Sequence, residues 1–153
     1  MITCLNDQFH AKRLSLRFTM SCFQLHVKYV SGTIPSTIFN ISSLRVIDLT
    51  FNLIFGSLPK NMCDHLPKLE FFSIYSNHFS GEIPSELYKC RELQSLYLSN
   101  NTLTGVIPEE IGYLSGLKVL NLAGNMLSGL QSQVHSVFQF FFLYLLFHHI
   151  EVL

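Results

Sequence analysis

The groups able to do acid–base, nucleophilic or metal chemistry are seven histidines, four cysteines and ten acidic residues in a chain of 153. Cys63-Asp64-His65 is a contiguous triplet, without the spacing of a metal-ligand set. His148-His149 lies in the C-terminal tail. No recognisable motif brings a serine, a histidine and an acid together, so the histidines read as solvated or packing side chains. No catalytic, cofactor or metal residue is assigned, and the chain is not read as an enzyme. The side chains that recur at a fixed interval are amides: Asn52, Asn77, Asn101 and Asn125, spaced 25, 24 and 24. A carboxamide both donates and accepts, so in a buried place it pairs backbone groups that would otherwise be stranded at roughly 1–3 kcal/mol each.

Positioning such a column requires the same element to be built again and again. LQSLYLSNNTLTGVIP from Leu93 is one complete copy of LxxLxLxxNxLxGxIP, and LRVIDLTFNLIFGSLP from Leu44, LEFFSIYSNHFSGEIP from Leu69 and LKVLNLAGNMLSG from Leu117 share its register. Gly56, Gly81, Gly105 and Gly129 step with the asparagines. One period earlier stand Gly32 and Ile34-Pro35, with Met20, Phe23 and Leu25 at the leucine positions and Lys28 where the asparagine belongs. This consensus at this period is the leucine-rich-repeat signature. The fold class expected is α/β: a right-handed solenoid with a parallel sheet on its concave wall and short 3₁₀ or helical turns on its convex side. Leu49, Ile74, Leu98 and Leu122 should stack in one inward file, because no single copy can bury its apolar side alone. Leu87, Cys90 and Leu93, then Ile111, Leu114 and Leu117, stand three apart and suit the convex turns.

Length and a 48% hydrophobic, 13% charged composition allow one domain with a core. Zero net charge without a basic cluster argues against nucleic acid as a partner. Three segments follow: a lead-in over 1–19, read as disordered and without an evident signal peptide; about 4.5 repeats over 20–130; and a Phe-rich apolar tail over 131–153. The tail has three readings: a membrane helix, a cap on the last repeat, or sequence appended by a truncated gene model. Its window holds His135, Gln139, His148, His149 and Glu151, which count against a span. Cys90, in the file that holds Leu114, reads as a small buried thiol. Cys63 is one repeat away but offset in register, leaving a Cys63–Cys90 bridge as the second reading. Two sequons, Asn40-Ile41-Ser42 on the convex side and Asn100-Asn101-Thr102 at a strand exit, are glycan acceptors in a secreted chain.

From Ser31 to Gly129 the repeats, with their LxGxIP halves, resemble the ectodomains of plant leucine-rich-repeat receptor-like serine/threonine kinases of the immune-receptor type. That resemblance implies an extracellular or plasma-membrane address, and a protein or peptide ligand or a co-receptor bound in signalling or defence. Such receptors also have a signal peptide, a cysteine-paired N-terminal cap, many more repeats, a membrane span and a kinase. Without a glycine-rich nucleotide loop, HRD or DFG here, no kinase activity carries over. The other reading is a non-functional truncated product of such a gene. In the family geometry the outward strand positions form concave columns: Val46, Phe71, Ser95 and Val119; Asp48, Ser73, Tyr97 and Asn121; Thr50, Tyr75, Ser99 and Ala123; Phe51, Ser76, Asn100 and Gly124. Phe51, Phe71, Tyr75 and Tyr97 are the candidate binding anchors, with Asp48 and His78 adding polar specificity. Five strands ~4.8 Å apart and ~17 Å long present roughly 300–350 Å², against about 800 Å² per partner in a standard interface.

Overall fold

The computed structural model describes residues 21–25, 28–128 and 151–152, the last pair as backbone. The 1–19 lead-in and nearly all of the 131–153 tail therefore lie outside the described residues. Each coil begins with a short strand: β1 (Cys22–Gln24), β3 (Val46–Asp48), β5 (Phe71–Ser73), β7 (Ser95–Tyr97) and β9 (Val119–Asn121). They pair in parallel and in the register of the repeat, so that Phe23, Ile47, Phe72, Leu96 and Leu120 form one row. The backbone of β10 (Glu151–Val152) adds a sixth parallel strand beyond β9.

A second sheet, absent from the sequence reading, follows the asparagines. Its strands are β2 (Ser31–Gly32), β4 (Leu53–Gly56), β6 (His78–Glu82) and β8 (Thr102–Thr104), again parallel. Ile54, Phe79 and Leu103 are buried, and the residues around Ile54 are exposed, which is strand alternation on a half-buried sheet. The glycines that close these segments, such as Gly56 at φ 114°, hold a conformation that residues with a Cβ rarely adopt.

The turns on the convex side are 3₁₀: Ser36–Asn40, Met62–Asp64, Ser85–Lys89 and Glu109–Tyr113. Pro35, Pro84 and Pro108 precede three of them with φ between −59° and −64°, a value the ring presets. Each turn is entered by a bond back to a proline carbonyl: Ile38, Met62, Leu87 and Ile111 N–H donate to Pro35, Pro59, Pro84 and Pro108 at 3.1–3.2 Å. Leu49, Ile74 and Leu98 stack with 0–1% exposure and Leu122 packs partly buried against them, as the inward file requires. Among the described residues no helix is long and apolar enough to cross a membrane.

The reading of Cys90 as a free thiol is corrected: Cys63 and Cys90 form a disulfide, with Cα atoms 5.0 Å apart. The length change in this copy explains how an offset residue reaches. Leu87 to Cys90 and Ile111 to Leu114 span three positions, whereas Met62 to Leu66 spans four. The additional residue turns Cys63 inward, where it is 4% exposed, toward the next coil. Beside the bridge Lys89 Nζ lies 2.8 Å from Asp64 Oδ1, a hydrogen bond that raises the lysine pKa above its ordinary value. Both groups are well exposed, so this pair contributes little beside the covalent link.

Candidate ligand-binding face

The turns out of β3, β5, β7 and β9 are each made by one left-handed residue followed by an asparagine. Phe51, Ser76, Asn100 and Gly124 have φ between 53° and 65°. For phenylalanine this conformation is unfavourable, and backbone pairing to the next coil holds it in place: Phe51 N–H donates to Tyr75 O at 2.9 Å. The following amide joins the two sheets. Asn101 Nδ2 donates to Leu98 O of its own coil at 3.1 Å and to Ile74 O of the preceding coil at 2.9 Å. Its Oδ1 accepts from Phe79 N–H, in the second sheet of that preceding coil, at 2.9 Å. Asn77 and Asn125 repeat the arrangement. Asn52 starts the column, its Oδ1 accepting from Val30 N–H at 3.0 Å, while Lys28 one period earlier is exposed.

This frame sets two aromatic pairs on the concave side and its rim. Phe51 meets Tyr75 edge-on with ring centres 4.9 Å apart, and Phe71 meets Tyr97 at 5.6 Å. Phe51 is 50% exposed, and Phe71, Tyr75 and Tyr97 are half-buried. Between the pairs runs a polar lane. Asp48 Oδ1 accepts from both the N–H and the hydroxyl of Thr50, whose Oγ1 lies 2.8 Å from Ser73 Oγ.

Three expectations about the face change. His78 is exposed but opens β6 in the second sheet, because it follows Asn77, after the chain has already turned; it does not belong to the concave sheet. Ser73 and Ser99, read as outward, are each 2% exposed. Both are short side chains in rows with larger neighbours, Ser73 beside Tyr97 and Ser99 one coil from Tyr75. Lys28, which the repeat arithmetic noted only as a missing asparagine, holds its Nζ 5.8 Å from the Phe51 ring centre. Its detection required knowing where Phe51 points.

Gly124 differs from the rest of its column. A Cβ there would stand 2.2 Å from Asn100 Oδ1. Gly124→Ala is expected to lower stability by about 1 kcal/mol or more in thermal unfolding, since its left-handed φ of 65° strains any residue with a Cβ; adding Asn100→Ser clears the space but should recover only a minor part of the loss.

Coils with two parallel sheets, 3₁₀ returns and a buried amide column define a leucine-rich-repeat solenoid carrying an open aromatic wall. The comparisons agree by sequence: leucine-rich-repeat family models match residues 84–144 and 68–90. The array is homologous to the ectodomains of plant leucine-rich-repeat receptor-like proteins and receptor-like kinases. Receptor-like protein 41 of Arabidopsis thaliana is 30% identical over 133 residues, covering 82% of this chain and 15% of that protein. The chain thus spans a small part of the curated relatives it matches. Among solved structures, the ectodomain of the Arabidopsis receptor kinase HAESA, in complex with an IDA peptide hormone ligand, has a TM-score of 0.74 and 34% identity, over 88% of this chain and 21% of that one. The BIR2 ectodomain from Arabidopsis thaliana gives 0.63 and 39%, over 65% and 52%. The matched residues correspond to the repeat ectodomain and not to a kinase domain. This homology implies an extracellular or plasma-membrane-associated domain.

Proposed function

We propose that this chain is a protein-interaction module whose concave wall receives a peptide, a protein ligand or a co-receptor in plant receptor signalling. The two aromatic pairs flanking a polar lane carry the reading, since amphipathic rings that folding does not require to be exposed are typical interface anchors. The HAESA ectodomain, of the same repeat architecture, is bound to a peptide hormone. Phe51, Phe71, Tyr75 and Tyr97 supply apolar contact and Asp48 supplies a hydrogen-bond acceptor. His78 and Lys28 act at the rim rather than on the wall. A footprint of roughly 300–350 Å² is under half of a standard partner surface, so the wall contributes part of an interface that another surface completes.

The test is selection of a displayed random-peptide library on the folded chain, followed by direct titration of the enriched peptides. Tyr75→Ala combined with Tyr97→Ala should weaken them about tenfold or more. The melting temperature should change little, because both rings are partly exposed. Unchanged affinity in the double variant would remove the concave wall from the interface.

A further inference from the structure

The two sequons differ in what folding does to them. In Asn100-Asn101-Thr102 the Asn100 and Thr102 residues are exposed, as Asn40 and Ser42 are, but the Asn100 backbone, the Asn101 amide and the Thr102 hydroxyl are all tied to neighbouring coils. Asn100 N–H donates to Ala123 O, and its carbonyl accepts from Asn77 N–H. Asn101 is buried with its amide in the column, and Thr102 Oγ1 donates to Phe79 O at 2.9 Å. Asn100 Oδ1 sits over the place where Gly124 has no Cβ. In Asn40-Ile41-Ser42 both Asn40 and Ser42 are exposed, at the end of a 3₁₀ turn and outside both sheets. The homologous ectodomains and the buried Cys63–Cys90 bridge both fit an oxidising, secretory route.

We infer that Asn40 is the N-glycosylated residue of this chain and that Asn100 is left unmodified because formation of the coil closes its sequon. The Asn40 carboxamide nitrogen forms a bond to C1 of the reducing-end sugar of a lipid-pyrophosphate-linked oligosaccharide. The C1–O bond to pyrophosphate breaks, the lipid pyrophosphate leaves with the electron pair, and Nδ2 gives up one proton. The sequon is readable in the nascent chain and stays readable on the convex side. The Asn100 sequon is available only until Asn101 is buried and the Asn100 backbone and Thr102 hydroxyl bond to neighbouring coils, since freeing them again requires local unfolding of those coils. A glycan at Asn40 also projects away from Phe71, Tyr75 and Tyr97. The inference goes beyond the binding reading and does not depend on it.

The experiment expresses the full chain behind a cleavable secretion signal in insect cells and recovers it from medium and secretory compartments. It is treated with an endoglycosidase that leaves one sugar, and its peptides are weighed by mass spectrometry. Most of the Asn40 peptide should carry the retained sugar and most of the Asn100 peptide should not. A dithiothreitol pulse during synthesis, which delays the Cys63–Cys90 bridge and hence folding, should raise occupancy at Asn100. An unmodified Asn40, or Asn100 occupied as fully as Asn40 without reductant, would overturn the inference, as would no rise at Asn100 under reductant.

Discussion

Asn101→Ala is expected to destabilise the array by about 3–5 kcal/mol, because it strands the Phe79 N–H and the Ile74 and Leu98 carbonyls in places where little water can replace the amide. Asn101 is 7% exposed and has coils on both sides, so the loss should spread to both interfaces of a structure whose stability is carried between neighbours. Asn101→Asp is nearly the same size but has no donor when ionised, leaving the two carbonyls facing a carboxylate. It should be at least as damaging at neutral pH. Asn125→Ala, in a half-buried position at the far end of the column, should cost roughly half as much. Denaturant titration followed by circular dichroism measures all three. A loss below about 1 kcal/mol for Asn101→Ala would mean that the column is not what joins the coils.

Removing the inter-coil bridge is the second large effect. Cys63 and Cys90 are 27 residues apart, and closing a loop of that size lowers the entropy of the unfolded chain by an amount equivalent to about 3.5 kcal/mol. The paired substitution Cys63→Ala with Cys90→Ala should therefore lower stability by about 3 kcal/mol or more, because Cys90 is fully buried and its replacement also leaves a small void. A reducing agent should also lower the midpoint of the unaltered chain, and by more than it lowers that of the double variant, in which the disulfide held by Cys22 is still there to reduce. Unfolding midpoints measured with and without reductant give the comparison. Identical midpoints for the unaltered chain would show that the bridge does not form, and would withdraw its support for a secretory route.

The repeat was legible because a solenoid prints one local environment at a constant period. Leu49, Ile74 and Leu98 had to face inward once Asn52, Asn77 and Asn101 stood at matched intervals, and all three are buried. The 3₁₀ returns after Pro84 and Pro108 followed from apolar residues three apart, Leu87, Cys90 and Leu93, then Ile111, Leu114 and Leu117. The second sheet was available in principle: Ile54, Phe79 and Leu103 each sit two residues past an asparagine. It does not stand out in the sequence, because strands of two to five residues carry too short an alternation to show beside the leucine file. His78 was misassigned for the same reason, since a polar residue just past the turn looks in sequence like one just before it.

The order of residues was sufficient to define a stack of coils, its inward files and its amide column, because each depends on contacts that recur every 24 or 25 positions. Long-range geometry was needed for the rest. Whether Cys63 reaches Cys90 depends on how one additional residue rotates a turn against the next coil. Whether Ser73 and Ser99 see solvent depends on the bulk of side chains a full period away. The aromatic pairs arise in the same way, from rings 24 to 26 residues apart brought within about 6 Å by strand pairing, a distance that no local pattern encodes.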